Sequence, residues 1–193
     1  AEASSFLSKA FLIGIMLILF VLVLQFNSIL MPLVILFSVV LSLIGVLWSI
    51  LLTDSYFVVV MTGIGVISLA GVVVNNAIVL IDYIQQLRRE GLGKNEAIIR
   101  AGITRFRPVM LTAVTTVFGL LPMMAGMEID FVEMHFSFSG SSGEWWKPMA
   151  NAVGYGLIFA TVLTLIVVPA TYSIADSFGE LMRKLFRRDR KGV

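Results

Sequence analysis

The sequence predicts an all-α, polytopic transmembrane helix bundle, with five spanning helices and one short amphipathic cytoplasmic helix. Three observations predict it. Hydrophobic residues make up 59% of the 193 and charged residues only 13%, about half the charged share of a soluble domain. Mean hydropathy is +0.99. Five stretches also meet the requirement of about 20 mostly apolar residues for a spanning helix.

The spans follow in order. The first covers about residues 6–24, with Lys9 near its start. The second covers 32–52, and Pro32 suits its first turn. The third covers 57–83, the fourth 108–127, with Pro108 at its start, and the fifth 150–175. Short polar turns, Gln25–Ser28 and Thr53–Ser55, separate the first three. The connection 85–107 is longer. Within it, Ala97, Ile98, Ala101 and Ile103 alternate with Glu96, Arg100 and Arg105 at near-helical spacing. That pattern reads as an amphipathic helix at the membrane surface with arginines near lipid phosphates. A docking site for a cytoplasmic partner is the other reading.

Charge sets the orientation. Six basic residues lie in 85–107 (Arg88, Arg89, Lys94, Arg100, Arg105, Arg107) and six in the tail 177–193 (Arg183, Lys184, Arg187, Arg188, Arg190, Lys191), which is twelve of the 14. Two spans separate these regions, so they share a side, and the positive-inside rule makes it cytoplasmic. The loop 128–149 holds Glu128, Asp130, Glu133 and Glu144 against Lys147, which places it outside. The N-terminus then also lies outside, as expected of the last part of a longer chain. Trp145 and Trp146 suit the headgroup level. Residues 1–176 thus read as a transmembrane domain followed by a basic cytoplasmic tail.

Several chemistries are absent from the pattern. There is no HExxH, GxSxG or P-loop, no cysteine, and a single histidine, His135, so no metal or cofactor is expected. Gly63–Ile64–Gly65 begins a dinucleotide-like motif, but Ser68 fills the last place. In a spanning helix such glycines let neighbours approach closely. Asp82 stands alone, without the second carboxylate an intramembrane protease needs. The basic tail beside a span points to anionic lipid, not nucleic acid.

The third span carries the least expected residues. Asn75 and Asn76 sit side by side in GVVVNNAIVLIDY, and burying an unpaired amide is costly. At 100° per residue Ser68, Gly71, Asn75 and Asp82 fall within about 60° of one another, with Asn76 about 100° away from Asn75. In the fourth span Thr112, Thr115, Thr116 and Gly119 cluster on one side. One reading is packing glue at about 0.6 kcal/mol per bond, with Gly65, Gly71 and Gly119 permitting close approach. The other is a buried polar site for proton or ion coupling. Asparagine does not titrate near neutral pH, so the titrating group of such a site must come from elsewhere. Either way, Asn75 and Thr112 are expected to face a common interior and not lipid.

Four long stretches resemble the resistance–nodulation–division (RND) superfamily, specifically its hydrophobic/amphiphilic multidrug efflux branch. LVLQFNSILMPLVILFSVVLSLIG is similar to the eighth and ninth spans of such pumps. GVVVNNAIVLIDYIQQLRREG is similar to the tenth, and EAIIRAGITRFRPVMLTAVTTVFGLLPM to the following loop and eleventh. WWKPMANAVGYGLIFATVLTLIVVPATYS is similar to the twelfth. The resemblance implies a proton antiporter of the bacterial inner membrane that exports drugs or other lipophilic compounds. It implies a homotrimer whose N-terminal half and porter domain lie outside this chain. In a diderm it implies a periplasmic adaptor and an outer-membrane channel. It places a titrating aspartate pair on the fourth span, in the other half. Asn75, Asn76 and Thr112 match the partner positions, and Ser68, Thr116 and Asp82 are lesser candidates. Many members have lysine where Asn75 stands, so the resemblance implies hydrogen bonding to the carboxylates in place of an ion pair. The alternative from another class is a truncated or autonomous membrane scaffold with no transport of its own.

Overall fold

The computed structural model describes residues 2–53, 56–130, 135–137 and 141–189, and the side chains of 2–53, 56–127 and 143–177. The turn residues Asp54 and Ser55, the loop residue Glu133 and the tail residues Arg190 and Lys191 lie outside the described residues. The elements are α1 (Glu2–Phe26), α2 (Leu30–Thr53), α3 (Val59–Arg89), α4 (Lys94–Met124), β1 (Glu128–Asp130), β2 (His135–Ser137) and α5 (Ser141–Asp189). All five helices are long and apolar enough to cross a membrane. The chain is therefore an all-α transmembrane bundle, with one small addition. β1 and β2 pair antiparallel, Ile129 opposite Phe136, within what the sequence reads as a loop.

Helix boundaries follow local chemistry. Asn27, at φ 45°, turns the chain between α1 and α2, and asparagine tolerates that left-handed conformation. α3 ends in a Schellman motif. Gly91, at φ +95°, donates to the Arg88 carbonyl at 3.1 Å, and Leu92 to the Leu87 carbonyl at 3.2 Å. Leu92 packs against the core cluster that contains Leu87, the apolar contact that accompanies this motif. α4 ends the same way, with Gly126 donating to Met123 at 3.1 Å and Met127 to Pro122 at 2.9 Å.

Two boundaries differ from the sequence reading. The amphipathic helix and the fourth span are one helix, α4, which starts at Lys94 and contains Pro108 in its interior. Ala97 and Ala101 are fully buried, so one continuous packed stripe carries the helix through the proline. The fifth span likewise extends from Ser141 to Asp189, with Pro148 and Pro169 inside it. The basic tail as far as Asp189 is thus a helical extension of the span.

α3 and α5 form the centre. Ala150, Ala152, Leu157, Ala160 and Val168 of α5 are at most 2% exposed. α2 and α5 cross closely, because a Cβ on Gly45 would meet Phe159 Cβ at 2.7 Å and the Gly156 Cα at 3.1 Å. Close backbone approach of this kind is how membrane helices gain packing without a hydrophobic driving force. The buried serines of α2 are satisfied locally. Ser38, Ser42 and Ser49 donate to the carbonyls of Ile35, Val39 and Val46 at 2.7, 2.6 and 2.9 Å. α1 fully buries only Leu22, packs Ile18 and Phe26 against the core, and leaves a wide apolar face exposed.

Candidate functional site

α3 is touched by α1, α2, α4 and α5, and burial along it is strictly periodic. Leu69, Ala70, Val73, Val74, Ala77, Leu80, Ile81 and Ile84 are buried. From Ile64 onward the exposed residues of α3 are Ile64, Ser68, Gly71, Asn75, Val79, Asp82, Gln86 and Arg89. At 100° per residue all eight fall in a stripe about 80° wide. Beyond Val60 every other face of α3 is at least partly covered. The uncovered stripe carries Ser68, Asn75, Asp82, Gln86 and Arg89 beside Ile64 and Val79, whereas the buried residues, Thr62 and Gly65 apart, are Ala, Val, Ile and Leu.

The structure therefore places the candidate residues as follows. Asn75, Ser68 and Asp82 line the open stripe, and Asn76 is half-buried at its edge. Neither amide finds a hydrogen-bond partner among the described residues. Thr112 and Thr116 are exposed on α4. Thr112 Oγ1 donates to the Val109 carbonyl at 2.9 Å, leaving its oxygen lone pairs available. Thr115 donates to Leu111 at 2.8 Å and to Thr112 at 3.0 Å. Gly65 lies at a real close approach: a Cβ there would sit 3.0 Å from both Ala152 Cβ and the Met149 carbonyl oxygen. Gly71 and Gly119 have nothing within 4 Å of such a Cβ.

The expected common interior for Asn75 and Thr112 is not formed by these five helices. The reason is geometric: the other four helices pack on the apolar faces of α3 and leave its polar stripe open. Asp82 makes no ion pair among the described residues, and Arg88, further along the same helix, turns to α5 instead.

That turn creates a cluster the sequence reading missed. Arg88 Nη1 lies 2.7 Å from Asp176 Oδ1 and 3.4 Å from the Tyr172 hydroxyl. Lys94 Nζ donates to the Ser173 carbonyl at 2.6 Å and the Ser177 hydroxyl at 2.7 Å, with Asp176 Oδ2 at 3.8 Å. The cluster ties the end of α3, the start of α4 and the basic end of α5 together. Nearby, Arg105 lies over the Tyr83 ring, 4.6 Å from its centroid, with Nε buried and unpaired among the described residues. The available signal was Asp176, a lone acid ending the last apolar run on the side where the arginines gather. No group of His, Cys, Asp or Glu among the described residues could hold a metal ion.

Comparison with known proteins gives the family. The family model of the AcrB/AcrD/AcrF family matches residues 1–176. The swarming motility protein SwrC of Bacillus subtilis (strain 168) is 40% identical over 115 residues, 60% of this chain and 10% of that protein. The multidrug resistance protein MdtC of Pectobacterium carotovorum subsp. carotovorum (strain PC1) is 32% identical over 127 residues, 65% of this chain and 11% of that protein. The cobalt-zinc-cadmium resistance protein CzcA of Cupriavidus metallidurans is 33% identical over 116 residues, 60% of this chain and 10% of that protein. Among solved structures, a crystal structure of a heavy metal efflux pump superposes with a TM-score of 0.69 at 30% identity, covering 84% of this chain and 15% of that one. The chain spans about a tenth of the length of the curated relatives it matches. Multidrug and metal resistance proteins match at similar identity, so these likenesses do not separate the drug branch from the metal branch. With five apolar helices and a family match over residues 1–176, the chain belongs to the AcrB/AcrD/AcrF family of RND efflux transporters.

Proposed function

We propose that this chain supplies the second-half membrane helices of a proton-driven efflux pump, and that the open stripe of α3 is half of its coupling site. The carrying observation is that the uncovered face of α3 carries Ser68, Asn75 and Asp82, with Asn75 and Asn76 unpaired among the described residues. An apolar lipid environment would leave those amides unsatisfied. A helix bearing a carboxylate would satisfy them, since an amide N–H donates to the ionised form and its oxygen accepts from the protonated form. Thr112 offers a hydroxyl from α4, with Ser68, Thr116 and Asp82 as lesser contributors. In this reading the asparagines hold and orient the proton-carrying carboxylates without titrating themselves. The carboxylates come from the part of the protein that lies outside this chain.

The same reading gives the membrane placement. The arginine-rich ends of α3 and α4 and the extension of α5 are cytoplasmic, the ribbon β1–β2 and Trp145–Trp146 are periplasmic, and the membrane is the inner one. The full pump is a homotrimer, with an adaptor and an outer-membrane channel in a diderm. The substrate is a drug or other lipophilic compound. A metal cation is the second reading, favoured by the likeness to CzcA and to the heavy metal pump structure. A scaffold without transport is the third.

The test is reconstitution of the full-length protein in liposomes under an imposed proton gradient. Lipophilic dye export without zinc or cadmium export supports the first reading, and the converse supports the second. Asn75→Ala and Thr112→Ala should each slow transport at least about tenfold, a loss of roughly 1.4 kcal/mol. Transport of neither class, or variants equal to wild type, would sink the site assignment.

A further inference from the structure

α4 carries a second face that neither the core nor the coupling stripe uses. An apolar groove of about 230 Å³ runs between α4 and α5, lined by Met110, Val114, Val117 and Phe118 on one side and Ile158 and Val162 on the other. Thr161 also borders it, but its Oγ1 already donates to the Leu157 carbonyl at 2.7 Å. The groove therefore offers nothing to a polar ligand. Phe118 and Val162 are 67% and 54% exposed, so it opens sideways onto the surface of the bundle.

Followed toward the basic end, the same face of α4 becomes charged. At 100° per residue, Arg100 and Arg107 both fall within about 40° of Val114 and Phe118. Arg107 stands about 4.5 Å along the axis from Met110, and Arg100 about 10 Å further, by the 1.5 Å rise per residue. Both arginines are exposed, and neither has an ion-pair partner among the described residues. Ile103, 72% exposed, lies between them on this face. Helical side chains lean toward the N-terminus, so the Arg107 guanidinium is carried away from the membrane centre, as a snorkelling side chain requires. Glu96 is also exposed on this face, in the first turn of α4. It tempers Arg100 more than Arg107, which is three turns away from it. The threonine face with Thr112 and Gly119 points roughly the opposite way, about 160–180° from Met110.

We propose that this face is a phospholipid site, with a headgroup phosphate on Arg107, Arg100 beyond it, and one acyl chain in the α4–α5 groove. Charge complementarity and order choose the occupant. Guanidinium binds phosphate in a bidentate fork. A phospholipid presents a phosphate and then a hydrocarbon chain, in the sequence that this face presents arginine and then an apolar groove. A transmembrane helix would fit the groove but would bring no anion to the arginines unless it carried its own acid. The site takes lipid from the leaflet on the basic side and prefers anionic headgroups.

The experiment uses the full-length protein in vesicles of phosphatidylethanolamine and phosphatidylglycerol, doped with phosphatidylglycerol carrying a photoactivatable diazirine on one acyl chain. Labelled peptides are mapped by mass spectrometry. Label should concentrate on residues 110–118 and 158–162. Arg107→Gln should lower it about fivefold, the equivalent of about 1 kcal/mol for one cation at the membrane surface. Arg107→Lys should retain most of it. Val114→Phe, at an exposed position, should fill the groove and remove the label from it while the protein stays folded. Groove label that ignores Arg107→Gln would mean ordinary contact with bulk lipid and would overturn the proposal. Absence of label there in the wild type, as when another helix of the protein fills the groove, would overturn it too.

Discussion

Asn75 is the residue on which the functional reading turns, and it was visible in the sequence because an amide breaks an apolar run. Its neighbours on the stripe followed from helical spacing alone. Its exposure did not, since periodicity says which residues share a face but not which face stays open. The Arg88–Asp176 pair was illegible for a different reason: its members lie on separate helices, and no local pattern joins them. That pair makes its own prediction. Its side chains are 31% and 16% exposed, so the contribution lies between that of a surface pair and that of a buried one. Asp176→Ala should cost about 1–3 kcal/mol, because it leaves Arg88 and Lys94 without their shared carboxylate. Thermal unfolding in detergent should show the loss, and Arg88→Ala combined with it should cost less than the sum of the two. Additive costs would mean the two side chains act independently.

At the scale of the helix, number and order were legible because each span is a long apolar run. The start of α4 and both ends of α5 were not. Proline reads as punctuation, yet Pro108, Pro148 and Pro169 all lie inside helices. Packing of Ala97, Ala101 and Ala150 at full burial holds those helices through their prolines. Glycine shows the same split between residue type and context. Gly65 and Gly71 look alike in the sequence, but only Gly65 faces a neighbour within this chain. Gly65→Leu should drive α3 from α5 and destabilise the bundle by about 1–3 kcal/mol, the usual cost of overpacking. Gly71→Leu should leave the stability of the isolated bundle nearly unchanged and yet impair transport by the full-length protein. Both effects are read by thermal unfolding of the chain and by transport assay of the parent. If Gly71→Leu left transport intact, the stripe would not be an occupied face.

At the scale of the molecule, four helices pack around α3 and leave one of its sides open. Apolar surface on α1, α2 and α4 faces outward, as lipid contact requires, while the open face of α3 sets serine, glycine, asparagine, aspartate, glutamine and arginine among Ile64 and Val79. A bundle complete in itself would turn those residues inward. Twelve of the 14 basic residues lie in 85–107 and the tail, and Trp145 and Trp146 lie at the start of α5, the asymmetry on which the proposed orientation rests. The proposed lipid site in the α4–α5 groove, the Arg88–Asp176 cluster and the proposed coupling stripe of α3 then occupy three separate faces. The central claim is that the stripe takes part in proton coupling. It is tested most directly by measuring substrate-driven proton movement in liposomes containing the full-length protein and its Asn75→Ala variant. The account predicts that the variant assembles and binds substrate normally while its substrate-driven proton flux falls at least about tenfold. Proton flux equal to that of the wild type would contradict it.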